Sequence, residues 1–240
     1  YFKKMKIFFK IFKLLSMTAL LFFLMSFTVK NEQKNERRIN LIEFDQSINR
    51  FVSKEEILNR CFLLKKDNRD ISLDIAKIEE NIKQIPQIND VSVYLNHDGN
   101  IDIKLKERVP ILRIYNSNTS YYLDENCKVM PISKLFTARK LIVSGNVEDF
   151  SSNDLCELYT IIESDEFYKN LITHISLEKN NVVLITRIKN FQINIGDLTF
   201  LETKFNNLMS FYNKIIKFKG WDYYYEVNLK YNDQIICSKK

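Results

Sequence analysis

The side chains able to do chemistry are few in this chain and far apart. Its two histidines, His97 and His174, have no Cys, Ser or carboxylate at a spacing that an acid–base or nucleophile motif uses. Cys61, Cys127, Cys156 and Cys237 are 66, 29 and 81 residues apart, so no CxxC spacing exists for a zinc site or a redox dithiol. They are expected to be free, buried packing residues, four being too sparse for a disulfide scaffold. Gly99, Gly145, Gly196 and Gly220 are too dispersed for GxGxxG, a P-loop or GxSxG, which removes dinucleotide folds, P-loop NTPases and nucleophile elbows. Asp and Glu are scattered, and no pair for glycoside cleavage stands out. The expectation is therefore no catalysis, no metal and no cofactor. A cell-wall enzyme, whose groups would converge only in the fold, stays as an alternative.

The charge pattern points to a membrane. Lys3, Lys4, Lys6, Lys10 and Lys13 fall in the first thirteen residues, which contain no acid. Without these five, the formal charge of +6 drops to about +1, which is not the phosphate-tracking surface of a nucleic-acid binder. Leu14 to Val29 carry no charge. Extended back to Ile7, with Lys10 and Lys13 snorkelling, the segment has about the length that spans a bilayer core. A cleaved signal peptide would end in small residues; this one ends Ser26-Phe27-Thr28-Val29. The reading is an uncleaved anchor at 7–29, its N-terminus cytoplasmic and the rest exported. Residues 1–6 are the cytoplasmic tail, expected to be incomplete because the chain starts with Tyr. Residues 30–38, KNEQKNERR, are a linker.

Two modules follow, and the fold class is α+β. Residues 39–108 read β-α-α-β-β. Ile39–Phe44 is a strand. Ser53 and Glu56 form a capping box opening a helix with Ile57, Leu58, Cys61 and Phe62 on one face. A second helix after Asp74 carries Ile75, Ile78, Ile82 and Ile85, and Pro86 stops it. Val91, Val93 and Leu95, the turn His97-Asp98-Gly99-Asn100, and Ile101, Ile103 and Leu105 then form a hairpin. Residues 109–240 read as a larger β-rich module with two helices. Its strands are 111–115, 120–123, 128–130, 141–144, 172–177, 182–186 and 191–195. One helix is capped by Ser152 or Asn153. The other spans about 200–218, with the stripe Leu201, Phe205, Leu208, Tyr212 and Ile215. A hairpin of Tyr225–Leu229, the turn Tyr231-Asn232-Asp233 and Gln234–Ser238 closes the chain.

The first module resembles a POTRA domain in the run Ile85-Pro86-Gln87-Ile88-Asn89-Asp90-Val91-Ser92-Val93 and in Lys106-Glu107-Arg108-Val109-Pro110. With the anchor in front, Tyr121-Tyr122-Leu123-Asp124-Glu125-Asn126-Cys127 and Leu141-Ile142-Val143-Ser144-Gly145-Asn146 behind, and Gly220-Trp221 with Tyr224 to Ser238 at the end, the whole chain resembles the FtsQ/DivIB family of bacterial division proteins, in a Bacteroidota-like form. The family usually has Gly where Cys127 stands, so Asn126 is expected to take the left-handed position. The resemblance implies a non-catalytic, single-pass inner-membrane scaffold at the division site. Its β module would bind FtsB/FtsL-like partners, and its POTRA module other division proteins. A POTRA-containing accessory of envelope transport or outer-membrane assembly is the other alternative.

The partner site is read at the last strand. Gln234, Ile235, Ile236, Cys237 and Ser238 carry no charge and no Pro, and only Lys239 and Lys240 guard them. Such an edge accepts an added strand. By resemblance the strand comes from an FtsB-like segment, and Tyr231 is the aromatic placed to touch it. A proline at whichever of positions 235 and 236 turns its N–H outward would block the addition.

Overall fold

The computed structural model describes residues 12–26, 39–45, 51–62, 75–116, 119–188, 191–231 and 233–240. Helix α1 covers residues 12–26. Fifteen helical residues rise about 22 Å, short of the roughly 30 Å of a bilayer core. No helix among the described residues is long and apolar enough to cross a membrane. The tail 1–6, positions 7–11 and 27–29 of the apolar segment, the linker 30–38, Asp74 and Asn232 lie outside the described residues.

The first module runs β1 (Ile39–Phe44), α2 (Lys54–Phe62), α3 (Ile75–Lys83), β2 (Ile88–Leu95), β3 (Ile101–Glu107). Its sheet has the order β1-β3-β2, with β1 parallel and β2 antiparallel to β3. Ser53 Oγ accepts from the Glu56 N–H at 3.0 Å and so satisfies one of the free amides at the start of α2. Ile57 and Cys61 stack one turn apart, as do Ile78 and Ile82, and these four meet Val91, Val93, Ile101, Ile103 and Leu105 in one buried cluster. Burial pushes the Cys61 thiol up to about 11, which makes it a packing group. Leu95, expected in the same row, is exposed at the end of β2.

Among the described residues the second module contributes nine strands: β4 (Pro110–Asn116), β5 (Thr119–Asp124), β6 (Val129–Pro131), β7 (Leu141–Gly145), β8 (Ile172–Glu178), β9 (Asn181–Thr186), β10 (Gln192–Gly196), β11 (Tyr224–Asn228) and β12 (Ile236–Lys239). They form one sheet in the order β12-β11-β10-β9-β8-β7-β4-β5-β6. Ile114, Val143, Ile175, Leu184, Ile193, Val227 and Cys237 are lateral neighbours across seven of them. That row packs in one cluster with α4 (Ser152–Ser164), α5 (Glu166–Leu171) and α6 (Leu201–Phe211). Gly145 has φ +104°, and a Cβ there would lie 2.0 Å from the Leu177 carbonyl oxygen, so glycine lets β7 and β8 close.

Several expectations need correction. The helix cap is Ser151, whose hydroxyl accepts from the Asp154 N–H at 3.1 Å. A further helix, α5, is capped by Asp165, whose carboxylate accepts from the Phe167 N–H at 2.7 Å. After α6 the helix passes through a π-helical turn, Tyr212–Ile216, before α7 (Lys217–Lys219). Phe211 and Ile216 are fully buried, while the expected Tyr212 and Ile215 are half-buried against the same core. Cys127 and Cys156 are joined by a disulfide, with Cα atoms 6.1 Å apart, and so are not free. Cys127, not Asn126, takes the left-handed conformation, at φ +59°.

The run Glu107-Arg108-Val109-Pro110 fastens the modules to each other. Buried Glu107 accepts from the Phe51 and Val52 amides at 2.7 and 3.0 Å, holding the segment before α2. Arg108 donates Nε to Asp124 at 2.7 Å, and its terminal nitrogens to the carbonyls of Pro86, Val129 and Lys128 at 2.8, 3.1 and 3.0 Å. Tyr122, Met130 and Ala138 of the second module belong to the buried cluster of the first. Residues 39–108 alone do not close that core.

Candidate functional site

The nine-stranded sheet has two ends, and they differ. At β6 the carbonyls of Val129 and Pro131 accept from Arg108 at 3.1 Å and Gln87 at 3.3 Å, so the first module covers that edge. At the other end β12 pairs only with β11, which leaves one side of its backbone open among the described residues.

Alternation decides which amides are open. The Leu229 N–H donates to Asn194 O of β10 at 2.7 Å, so the odd-numbered residues of β11 face β10 and Glu226 and Asn228 face β12. Their partners are Ser238 and Ile236. The Lys240 N–H donates to Tyr223 O at 3.4 Å, which gives the same parity. The N–H groups of Cys237 and Lys239 therefore point away from the sheet. By the same parity Ile236 faces β11, and Gln234 and Ile235 precede the strand.

The side chains of this edge divide by face. Ile235 and Cys237 are half-buried and pack on the main core. Burial raises the Cys237 thiol, so it carries little thiolate. Ile236 is 43% exposed and Tyr231 51%. Ser238 is half-buried and Gln234 exposed. Lys239 Nζ lies 5.4 Å from the Tyr223 ring centroid, whose other near cation is Lys219 at 4.9 Å. The connection from β11 to β12 is held close by Gly196, at φ +72°. A Cβ there would meet Lys230 Cγ at 2.7 Å. Burial of Val227 and Leu229 fixes β11 beneath the edge.

The fold brings together one pair that chain distance concealed. Ser144 Oγ and His174 Nε2 are 2.8 Å apart on the sheet face opposite the helices. No carboxylate among the described residues hydrogen-bonds the His174 ring, whose pKa burial lowers. A hydroxyl–imidazole pair without that third group lacks the arrangement of a hydrolytic triad. His97 stands in an exposed turn. Among the described residues no three His, Cys, Asp or Glu side chains converge as a metal ion requires.

Comparison with known proteins agrees with this architecture. The family model described as "FtsQ/DivIB, C-terminal related" matches residues 109–238, and "POTRA domain, FtsQ-type" matches 38–108. Cell division protein DivIB of Clostridium acetobutylicum is 26% identical over 160 residues, covering 67% of this chain and 61% of that protein. With matched models running from residue 38 to residue 238, the chain belongs to the FtsQ/DivIB family of cell-division proteins and carries an FtsQ-type POTRA domain.

Proposed function

We propose that the chain is a single-span scaffold of the bacterial division machinery, which binds FtsB/FtsL-like partners by adding a partner strand to β12 and catalyses nothing itself. The observation that carries this reading is the unequal pair of sheet edges: β6 is covered by Arg108 and Gln87, while β12 presents the Cys237 and Lys239 amides. Main-chain bonds along such an edge supply affinity, and alternate side chains, here Ile236 and Ser238, supply register. Three features support an exported position for both modules. Five lysines precede the apolar segment 14–29. Residues 12–26 are helical. The Cys127–Cys156 disulfide suits an oxidising compartment. Anchored at 7–29, the two modules would stand at the division site on the outer side of the inner membrane. The POTRA domain would contact further division proteins.

The test is co-purification of the full chain from membranes with its FtsB-like partner. Cys237→Pro removes one outward N–H and fills its place with a ring, while an edge strand tolerates proline there. At about 0.5–1.5 kcal/mol for each lost bond, plus the clash of the ring, partner recovery should fall about tenfold or more. Cys237→Ala keeps the amide and should retain the partner. A folded Cys237→Pro protein that holds its partner fully, or an equal loss in Cys237→Ala, refutes strand addition.

A further inference from the structure

The end of the β12 edge carries positive charge that no carboxylate neutralises among the described residues. Tyr223, just before β11, is 40% exposed, and two ammonium groups converge on its ring. Lys219 Nζ of α7 lies 4.9 Å from the centroid and Lys239 Nζ of β12 lies 5.4 Å from it. Asp222 is next to Tyr223 in the chain, but its carboxylate lies 3.5 Å from Lys240 Nζ. Glu226 alternates with Val227 and so points to the other sheet face, where the Asn194 side chain donates to it at 3.4 Å. Two like charges gathered at one ring repel each other, and an anion shared between them reverses the sign of that interaction.

Strand register fixes where such an anion would enter. Lys239 pairs laterally with Tyr224, and Cys237 with Val227. Tyr224 and Val227 are buried in the core beneath the helices, so Lys239 and Cys237 share the helix-side face of β12. The same two residues turn their backbone groups outward. In an antiparallel addition each would form a hydrogen-bonded pair with one residue of the incoming strand, with Cα atoms about 5.5 Å apart and side chains on one face. The residue opposite Lys239 then comes within reach of both ammonium groups. The residue opposite Cys237 meets the half-buried Ile235 and Cys237.

An edge lysine ordinarily discourages pairing. Lys239 with Lys219 behind it discriminates instead. A basic strand, or a second copy of β12 with its own Lys239 and Lys240, adds to the positive charge, whereas an acidic strand relieves it.

We propose that the strand received by β12 is acidic at the residue opposite Lys239, whose carboxylate docks between Lys239 and Lys219, and apolar at the residue opposite Cys237, two positions away. This deepens the strand-addition reading and rests on it.

The full chain in detergent is titrated with the blocked peptide Thr-Glu-Thr-Val-Thr-Glu-Thr, which presents Glu and Val on one face in either strand direction. An uncharged dye on the peptide reports binding by fluorescence anisotropy. Two control peptides carry Gln or Lys in place of Glu. At about 50 mM salt the Glu peptide should bind about fivefold more tightly than the Gln peptide and at least tenfold more tightly than the Lys peptide, and the margins should shrink as salt is raised. Lys239→Glu should reverse the preference between the Glu and Lys peptides. Lys219→Gln should reduce it about threefold. Both side chains are exposed, so circular dichroism should stay unchanged. Equal binding of the Glu and Gln peptides, a Lys239→Glu protein that still prefers Glu, or a full preference in Lys219→Gln overturns the proposal. If Cys237→Pro nevertheless abolishes peptide binding in such a case, strand addition stands and only the acidic register is refuted. A charge preference that survives Cys237→Pro refutes strand addition and the proposal with it. No saturable binding of the Glu peptide up to millimolar overturns the proposal, and partner co-purification judges strand addition separately.

Discussion

Replacing Arg108 by Ala should destabilise the fold strongly. The guanidinium makes four bonds of 2.7–3.1 Å, one to the Asp124 carboxylate and three to carbonyls of Pro86, Val129 and Lys128. The two side chains are 13% and 2% exposed, so this is a buried pair and not a surface bridge. Taken singly, bonds to a charged group contribute about 1.5–3 kcal/mol each, but much of that is offset by rehydration of the freed carbonyls. Breaking a buried pair by removing one partner costs roughly 3–5 kcal/mol, and that is the expected loss at pH 7. Asp124 would keep the Asn126 and Lys128 amides, which holds the figure within that range.

The pH dependence separates this account from a generic packing defect. Burial by itself pushes the Asp124 carboxyl up, but the Arg108 guanidinium and the Lys128 and Asn126 amides together outweigh it and hold it below the usual range. A carboxyl depressed in the folded state stabilises above its unfolded value of about 3.9 and loses that contribution as pH falls through the folded value. Without Arg108 the depression shrinks or reverses. The stability gap between the two proteins should therefore narrow on going from pH 7 to pH 3. Urea unfolding of the full chain, followed by circular dichroism at both pH values, measures it. A loss under about 1 kcal/mol at pH 7, or a gap that is the same at pH 3, would refute the reasoning.

Two further outcomes are expected. Ile82→Ala removes a fully buried side chain from the POTRA core and should cost about 2–5 kcal/mol in the same assay; a negligible loss would mean that α3 does not pack as described. Cys156→Ser opens a crosslink spanning 29 residues, and the chain-entropy estimate for a loop of that length is about 3–4 kcal/mol. If the variant unfolds at the same urea concentration as the parent, the disulfide does not form in the protein.

The parts legible in the sequence are those in which one residue's neighbours fix its role. Ile78 and Ile82 repeat at helical spacing, Ser53 and Glu56 make a local cap, and Val91 and Val93 alternate, so the order β-α-α-β-β could be read directly and the POTRA domain matches it. Helix α5 was also within reach, since Asp165 is a cap residue followed by Glu166, but six residues give no periodic stripe. The misses share another cause, a dependence on partners far along the chain. Cys127 and Cys156 carry no motif, and only the fold brings a β-turn beside α4. The Glu107-Arg108 run looked like a family signature; its physical content is that one residue ties down the segment before α2 and the next closes the β6 edge. Phase errors are the most instructive. A stripe read with a constant period runs on through Tyr212 and Ile215, whereas the π-helical turn after Phe211 makes Ile216 the next buried position and leaves Tyr212 and Ile215 half-buried. At the C-terminus the strand was placed two residues early at its start and one early at its end. Because strand amides alternate, the open ones could be assigned to Cys237 and Lys239 only after pairing with β11 had fixed the register. In both places a shift of phase moves a side chain or an amide between the inside and the outside of the fold, which no local pattern of residues fixes.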